Sequence, residues 1–89
     1  MADVVIYTKA FCGYCVAAKR LLSQKGVEYQ EFDVTGDGEK RRWLAEVSGQ
    51  TTVPQTFIDG KPVGGYSDLR DLEEAGELDP LLGIQESTD

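Results

Sequence analysis

The hydrophobic and polar positions divide the chain into short segments of different period. Val4-Val5-Ile6-Tyr7-Thr8 is a nearly continuous apolar, β-branched run. Such a run predicts a strand buried at the centre of a sheet. From Tyr14 to Lys25 the spacing turns helical. Val16, Ala17, Leu21 and Leu22 make an apolar stripe, Lys19 and Arg20 face solvent, and Gly26 ends the helix. Glu28 to Val34 then alternates polar and apolar, which is strand periodicity.

"TGDGE" is a break followed by a helix start. The second helix runs from Asp37 or Gly38 to Ser48, with Trp43, Leu44 and Val47 on one face and Gly49 closing it. Gln55 to Ile58 reads as a strand, Asp59-Gly60 as a hairpin turn, and Lys61 to Gly64 as the return strand. Pro62 has no N–H to give a ladder, so that return strand belongs at an edge. A third helix runs from about Ser67 to Ala75, with Leu69 and Leu72 inward and Gly76 as its stop. "LDPLL" adds a last turn, and a polar tail at 84–89 is expected to fray beyond a domain at 1–83.

The order is therefore β-α-β-α-β-β-α. A strand–helix–strand start implies a parallel, right-handed crossover. The hairpin adds an antiparallel pair. Together they make an α/β protein with a four-stranded mixed sheet and helices packed on it.

Charge narrows the partners. Sixteen acidic residues against nine basic ones give a net charge of -7. Nucleic acid needs a basic face, and anionic membranes repel such a surface. An anionic ligand could be held only by a local device. The apolar run at Val4 to Tyr7 is too short to cross a membrane or to serve as a leader. The expected compartment is the cytoplasm, where thiols stay mostly reduced. The chain has no histidine, so the usual metal ligand and the usual general base are both missing.

Chemistry concentrates in Cys12 and Cys15, the only two cysteines. A structural zinc site needs four ligands, and this pair supplies two. A purely structural disulfide would close too small a loop to constrain the unfolded chain. Redox chemistry fits the placement, because a C-x-x-C that follows a strand and opens a helix has the setting of a thioredoxin-like site. Cys12 falls at the helix N-terminus, where unpaired N–H groups favour an anion, and Lys9 adds a positive charge nearby. Both favour the nucleophilic thiolate. Cys15 lies one turn further in and is the natural resolving thiol.

Two further stretches point to a peptide ligand. In "TTVPQ", a cis Val53-Pro54 bond would leave the Val53 N–H and C=O outside the sheet, free to pair with an extended peptide. A plain loop-ending proline is the alternative. In "GGYSDL", Gly64 and Gly65 precede a helix with Ser67 or Asp68 at its N-cap. That is either an ordinary capped helix or a carboxylate site, with Asp68 pairing a neighbouring amino group.

"YTKAFCGYC", "TVPQTFIDG", "VGGYSDL" and "LDPLL", in this order and spacing, resemble the glutaredoxin family from Val4 to Leu82. The resemblance implies a thioredoxin fold with helices on both faces of the sheet. It implies catalysis by Cys12 and Cys15, with glutathione as co-substrate and glutathionylated or disulfide-containing proteins as partners. It implies a glutathione site at Tyr14, Thr52, Val53, Pro54, Gly65, Tyr66, Ser67 and Asp68. Lys9 would lie near the glycine carboxylate, and Arg41 would help from the second helix. The dithiol branch commonly has C-P-Y-C and the single-thiol branch C-G-F-S. This chain keeps Cys15 but has Gly13. Some dithiol relatives without that proline hold a 2Fe-2S cluster between two subunits, so Cys12 as a cluster ligand in a bridged dimer is one alternative to a monomeric enzyme. A thioredoxin-like hydrogen donor to ribonucleotide reductase is another.

Overall fold

The computed structural model describes residues 2–84. Its elements are β1 (Val4–Thr8), α1 (Gly13–Gln24), β2 (Gln30–Asp33), α2 (Gly38–Ser48), β3 (Gln55–Ile58), β4 (Lys61–Gly64), α3 (Tyr66–Glu74) and α4 (Leu78–Leu82). The sheet order is β2-β1-β3-β4. β1 runs parallel to β2 and antiparallel to β3, and β4 returns antiparallel along the edge. The apolar run therefore occupies an inner strand, and Pro62 an outer one, as their composition predicts. Asp59 and Gly60 both take positive φ (52° and 80°), as a two-residue hairpin turn demands.

Alternation along β1 divides the molecule into two layers of side chains. Val4 and Ile6 point to the main core, where Ala18 and Leu22 of α1, Ile58 of β3, Leu69 of α3 and Leu78 and Leu82 of α4 close over them. Tyr7 points the other way and meets Phe32, Phe57 and the Trp43 ring of α2, each with centroids within 5.6 Å. Helices thus cover both faces, α1, α3 and α4 on one and α2 on the other.

The structure corrects several details of the sequence reading. Val16 is half exposed and leaves the apolar stripe; Cys15, Ala18 and Leu22 form the buried side of α1. Cys15 packs there as a small hydrophobe, which shifts the buried face away from Val16. Lys19 is partly buried, its Nζ 3.0 Å from Glu31 Oε2. β2 is shorter than Glu28 to Val34, and its four residues are exposed because it is an outer strand. On α2 only Leu44 is buried, and Trp43 and Val47 remain open on one side. α4 is a separate helix. Ile84 donates its N–H to the Asp79 carbonyl (2.9 Å) and packs against the core. The rest of the expected polar tail, 85–89, lies outside the described residues.

Lys25, at the C-terminus of α1, ties the helical layer together. Its ammonium lies 2.6 Å from Glu73 Oε2 and 2.7 Å from Asp79 Oδ1. One cation thus joins α1 to α3 and α4.

Candidate active site

The loop from Lys9 to Cys12 carries the chain from β1 into α1. The Ala10 N–H donates to Thr35 Oγ1 (2.7 Å), which anchors the loop to the segment after β2. Cys12 is the N-cap of α1, with extended backbone, and its Sγ accepts the Cys15 N–H at 3.2 Å. A thiolate there takes the role that a serine or aspartate oxygen takes at other helix starts. The helix dipole adds to the same effect.

Cys15 faces the opposite way, into the protein, and is 2% exposed. Burial, then a hydrogen bond with Cys12, push its thiol up to about 11. A backbone hydrogen bond from Lys9 and the positive charge of Lys19 pull the other way. Lys19 is held by Glu31, which also accepts the Thr8 hydroxyl at 2.7 Å. The Thr8 bond, followed by the Lys19 bond, keeps the Glu31 carboxyl below the usual range. The two sulfurs are free thiols, so the site is described in its reduced form.

The second constellation closes on the first from a distant part of the chain. The Val53–Pro54 peptide bond is cis. The Val53 carbonyl lies 3.9 Å from Cys12 Sγ, across 41 residues of sequence. Gln55, wholly buried at the start of β3, donates its amide to the Thr52 carbonyl (3.0 Å) and to Gln50 Oε1 (2.9 Å). That amide holds the loop from beneath.

The glycine pair then turns the chain into α3. Gly64 has φ 122°, and a Cβ there would fall on the Asp68 carboxylate. A Cβ on Gly65 would sit 3.3 Å from the Pro54 carbonyl. Gly64 therefore needs the absence of a side chain, and at Gly65 a Cβ would press on the Pro54 carbonyl. The N-cap of α3 is Gly65, not Ser67 or Asp68 as the sequence suggested. Asp68 stands three residues in and reaches back to accept the Gly65 N–H at 2.9 Å. The glycine pair hides this from sequence, since a glycine N-cap carries no side-chain signal.

These pieces line a groove of about 360 Å³; Cys12 is not among its lining residues and adjoins it through the Val53 carbonyl. Eight of the ten expected ligand residues line it: Tyr14, Thr52, Val53, Pro54, Gly65, Tyr66, Ser67 and Asp68. Tyr14 and Tyr66 stack across it with centroids 6.4 Å apart. Lys9 and Arg41 are exposed and do not line it. Arg70 and Gln50 do, and the sequence reading missed both. Arg70 was within reach of pattern: it follows Tyr66 by four residues, the spacing that shares a helix face. Another cavity, about 460 Å³, is lined by Ala2, Asp3, Val4, Gly26, Glu28, Tyr29 and Gln30 and contains neither cysteine.

The family model described as glutaredoxin matches residues 4–63. Glutaredoxin 3 of Escherichia coli (strain K12) is 54% identical over 82 residues, covering 92% of this chain and 99% of that protein. This chain belongs to the glutaredoxin family. Among solved structures, the glutaredoxin of Brucella melitensis superposes with a TM-score of 0.83 at 46% identity, covering 97% of this chain and 96% of that one. A buckwheat glutaredoxin–glutathione complex gives a TM-score of 0.84 at 32% identity, covering 92% of this chain and 77% of that one. As a glutaredoxin with a thioredoxin fold and a C-x-x-C at a helix start, the protein is a thiol–disulfide oxidoreductase. No helix among the described residues is long and apolar enough to cross a membrane.

Proposed function

We propose that the protein is a glutathione-dependent oxidoreductase that reduces protein–glutathione mixed disulfides, and protein disulfides, through the Cys12 thiolate. The observation that carries this reading is the groove itself. It begins at the Val53 carbonyl beside Cys12 Sγ and ends at the first turn of α3. A tripeptide whose own sulfur meets Cys12 would lie along it. The Val53 backbone would pair with its main chain, and the α3 N-terminus would take a carboxylate. The solved complex of a buckwheat relative with glutathione supports the same ligand.

In the first step Cys12 thiolate attacks the glutathione sulfur of the mixed disulfide. A Cys12–glutathione disulfide forms, the protein–sulfur bond breaks, and the protein leaves as a thiolate that takes a proton from water. In the second step a glutathione thiolate attacks the glutathione sulfur held on Cys12. Glutathione disulfide leaves and Cys12 thiolate returns. Cys15 enters when the substrate is a protein disulfide: its thiolate attacks Cys12 Sγ, expels the reduced substrate, and leaves a Cys12–Cys15 disulfide for two glutathiones to reduce.

The test is a pair of variants on a glutathionylated protein. Cys12→Ser abolishes deglutathionylation, and Cys15→Ser keeps much of it. Equal rates in both would overturn the roles. Reduction of the Cys12–Cys15 disulfide by glutathione alone separates this reading from that of a thioredoxin-like hydrogen donor to ribonucleotide reductase.

A 2Fe-2S cluster requires four ligands. One chain brings one accessible thiolate, Cys12, since Cys15 is buried. Among the described residues no three His, Cys, Asp or Glu side chains converge. The bridged reading would draw its four ligands from two Cys12 thiolates and two glutathione thiolates across a dimer, and no step here runs through it. Anaerobic reconstitution with iron, sulfide and glutathione discriminates: a coloured dimer supports the bridged reading, and a colourless monomer counts against it.

A further inference from the structure

Phe11 is the residue immediately before the nucleophile, and it is fully exposed, at 107% of the reference area. The other aromatic side chains have partners. Tyr7, Phe32, Trp43 and Phe57 form one cluster, Tyr14 stacks on Tyr66, and Tyr29 packs on the core. A single exposed hydrophobe is ordinary on a protein surface. Phe11 is different in its backbone, which sits at φ 55°. The left-handed region is unfavourable for an aromatic residue, and glycine or asparagine would occupy it more easily. The loop is also tied on both sides, by the Ala10 N–H to Thr35 Oγ1 and by Cys12 as the helix cap. The ring is therefore held out into solvent at a cost to the loop.

We propose that Phe11 is a docking residue for polypeptide substrates, packing against an apolar side chain next to the substrate's disulfide-bonded cysteine. The inference rests on the glutathione-dependent reading and adds a substrate class to it. Phe11 does not line the groove. With glutathione in the groove, a protein as leaving group has to cover the remaining ground around Cys12, and Phe11 stands on that ground. Val16, one turn past Cys12 on α1, is also half exposed. The occupant is a neutral or basic segment, since the chain's net charge of -7 opposes an acidic one.

The test needs no glutathione, so it stands apart from the reading above. Two peptides of equal length carry one cysteine in disulfide linkage to thionitrobenzoate, flanked by Leu in one and by Ser in the other. In a single turnover Cys12 thiolate attacks the peptide sulfur, a Cys12–peptide disulfide forms, and thionitrobenzoate leaves as a coloured anion. The wild-type protein is expected to react about tenfold faster with the Leu peptide, the scale of one buried apolar contact. Phe11→Asn brings the two rates together without lowering the melting temperature, because asparagine accepts the left-handed conformation. Phe11→Trp keeps the preference. The thionitrobenzoate disulfide of 2-mercaptoethanol reacts at one rate with all three proteins. A Leu preference that survives Phe11→Asn overturns the proposal. A rate loss shared equally by both peptides and the small disulfide also overturns it, by making the ring a support of the loop.

Discussion

Cys12 and Cys15 are one helical turn apart and have opposite surroundings. Cys12 is the cap of α1, half-exposed, and its Sγ accepts the Cys15 N–H. Cys15 is buried, and its thiol is pushed up to about 11. An acid with a raised value is protonated at neutral pH, and its thiolate fraction rises about tenfold per pH unit until that value is reached. In the mixed disulfide the Cys12 contributions are gone and burial remains, so the closure of Cys15 onto Cys12 should speed up as the pH rises above neutrality. Stopped-flow release of the bound thiol measures it. A flat profile would show that Cys15 is ionised without the cost its burial implies. At the groove's far end, Arg70→Ala should raise the KM for glutathione several-fold with little change in kcat, because the guanidinium lines the site without touching Cys12. The C-x-x-C pair was legible in sequence because its chemistry is local. Gln55 was not, since it matters only through what the fold brings beside it, and Arg70 shows only as a helical spacing from Tyr66.

At the scale of elements, the site is a meeting of three N-terminal or strand-leading turns. α1 presents Cys12, the loop before β3 presents Val53, and α3 presents Gly65 to Asp68. Gly64 holds the third in place. Gly64→Ala is expected to destabilise the fold by about 1–3 kcal/mol, through positive φ and collision with Asp68, and to weaken glutathione binding at the same time. Denaturant melts and glutathione kinetics would show both; a variant as stable as the parent would contradict the geometry. Lys25→Met should cost about 1 kcal/mol, lessened at high salt, because the bridge to Glu73 and Asp79 is partly screened by solvent. Element type and order were readable because period and turn residues are strong local signals. Val4–Thr8 and Asp59-Gly60 behaved as their composition demanded. The errors fell where tertiary position overrides pattern. β2 alternates like a half-buried strand yet lies at an edge, and the Ser67/Asp68 cap signal was displaced because Asp68 caps from inside the helix.

The whole molecule carries a net charge of -7 with a sequence pI near 4.4. Its field favours basic substrates and slows acidic ones. Second-order rates with a basic glutathionylated peptide should fall as salt rises, and those with an acidic peptide should increase. Equal salt dependence for the two would place recognition wholly in short-range contacts.

Trp43 is the chain's single tryptophan, and it sits on the α2 side of the sheet, against Tyr7 and Phe57 and under the Lys40 ammonium at 4.6 Å. Cys15 is buried in the opposite layer. A Cys12→Ser variant therefore carries two probes on either side of one four-stranded sheet: indole emission for one face and labelling of the buried Cys15 thiol for the other. Coincident unfolding curves would show the two layers melting as one cooperative unit, and an earlier indole transition would mark α2 as a separable lid on the redox machinery.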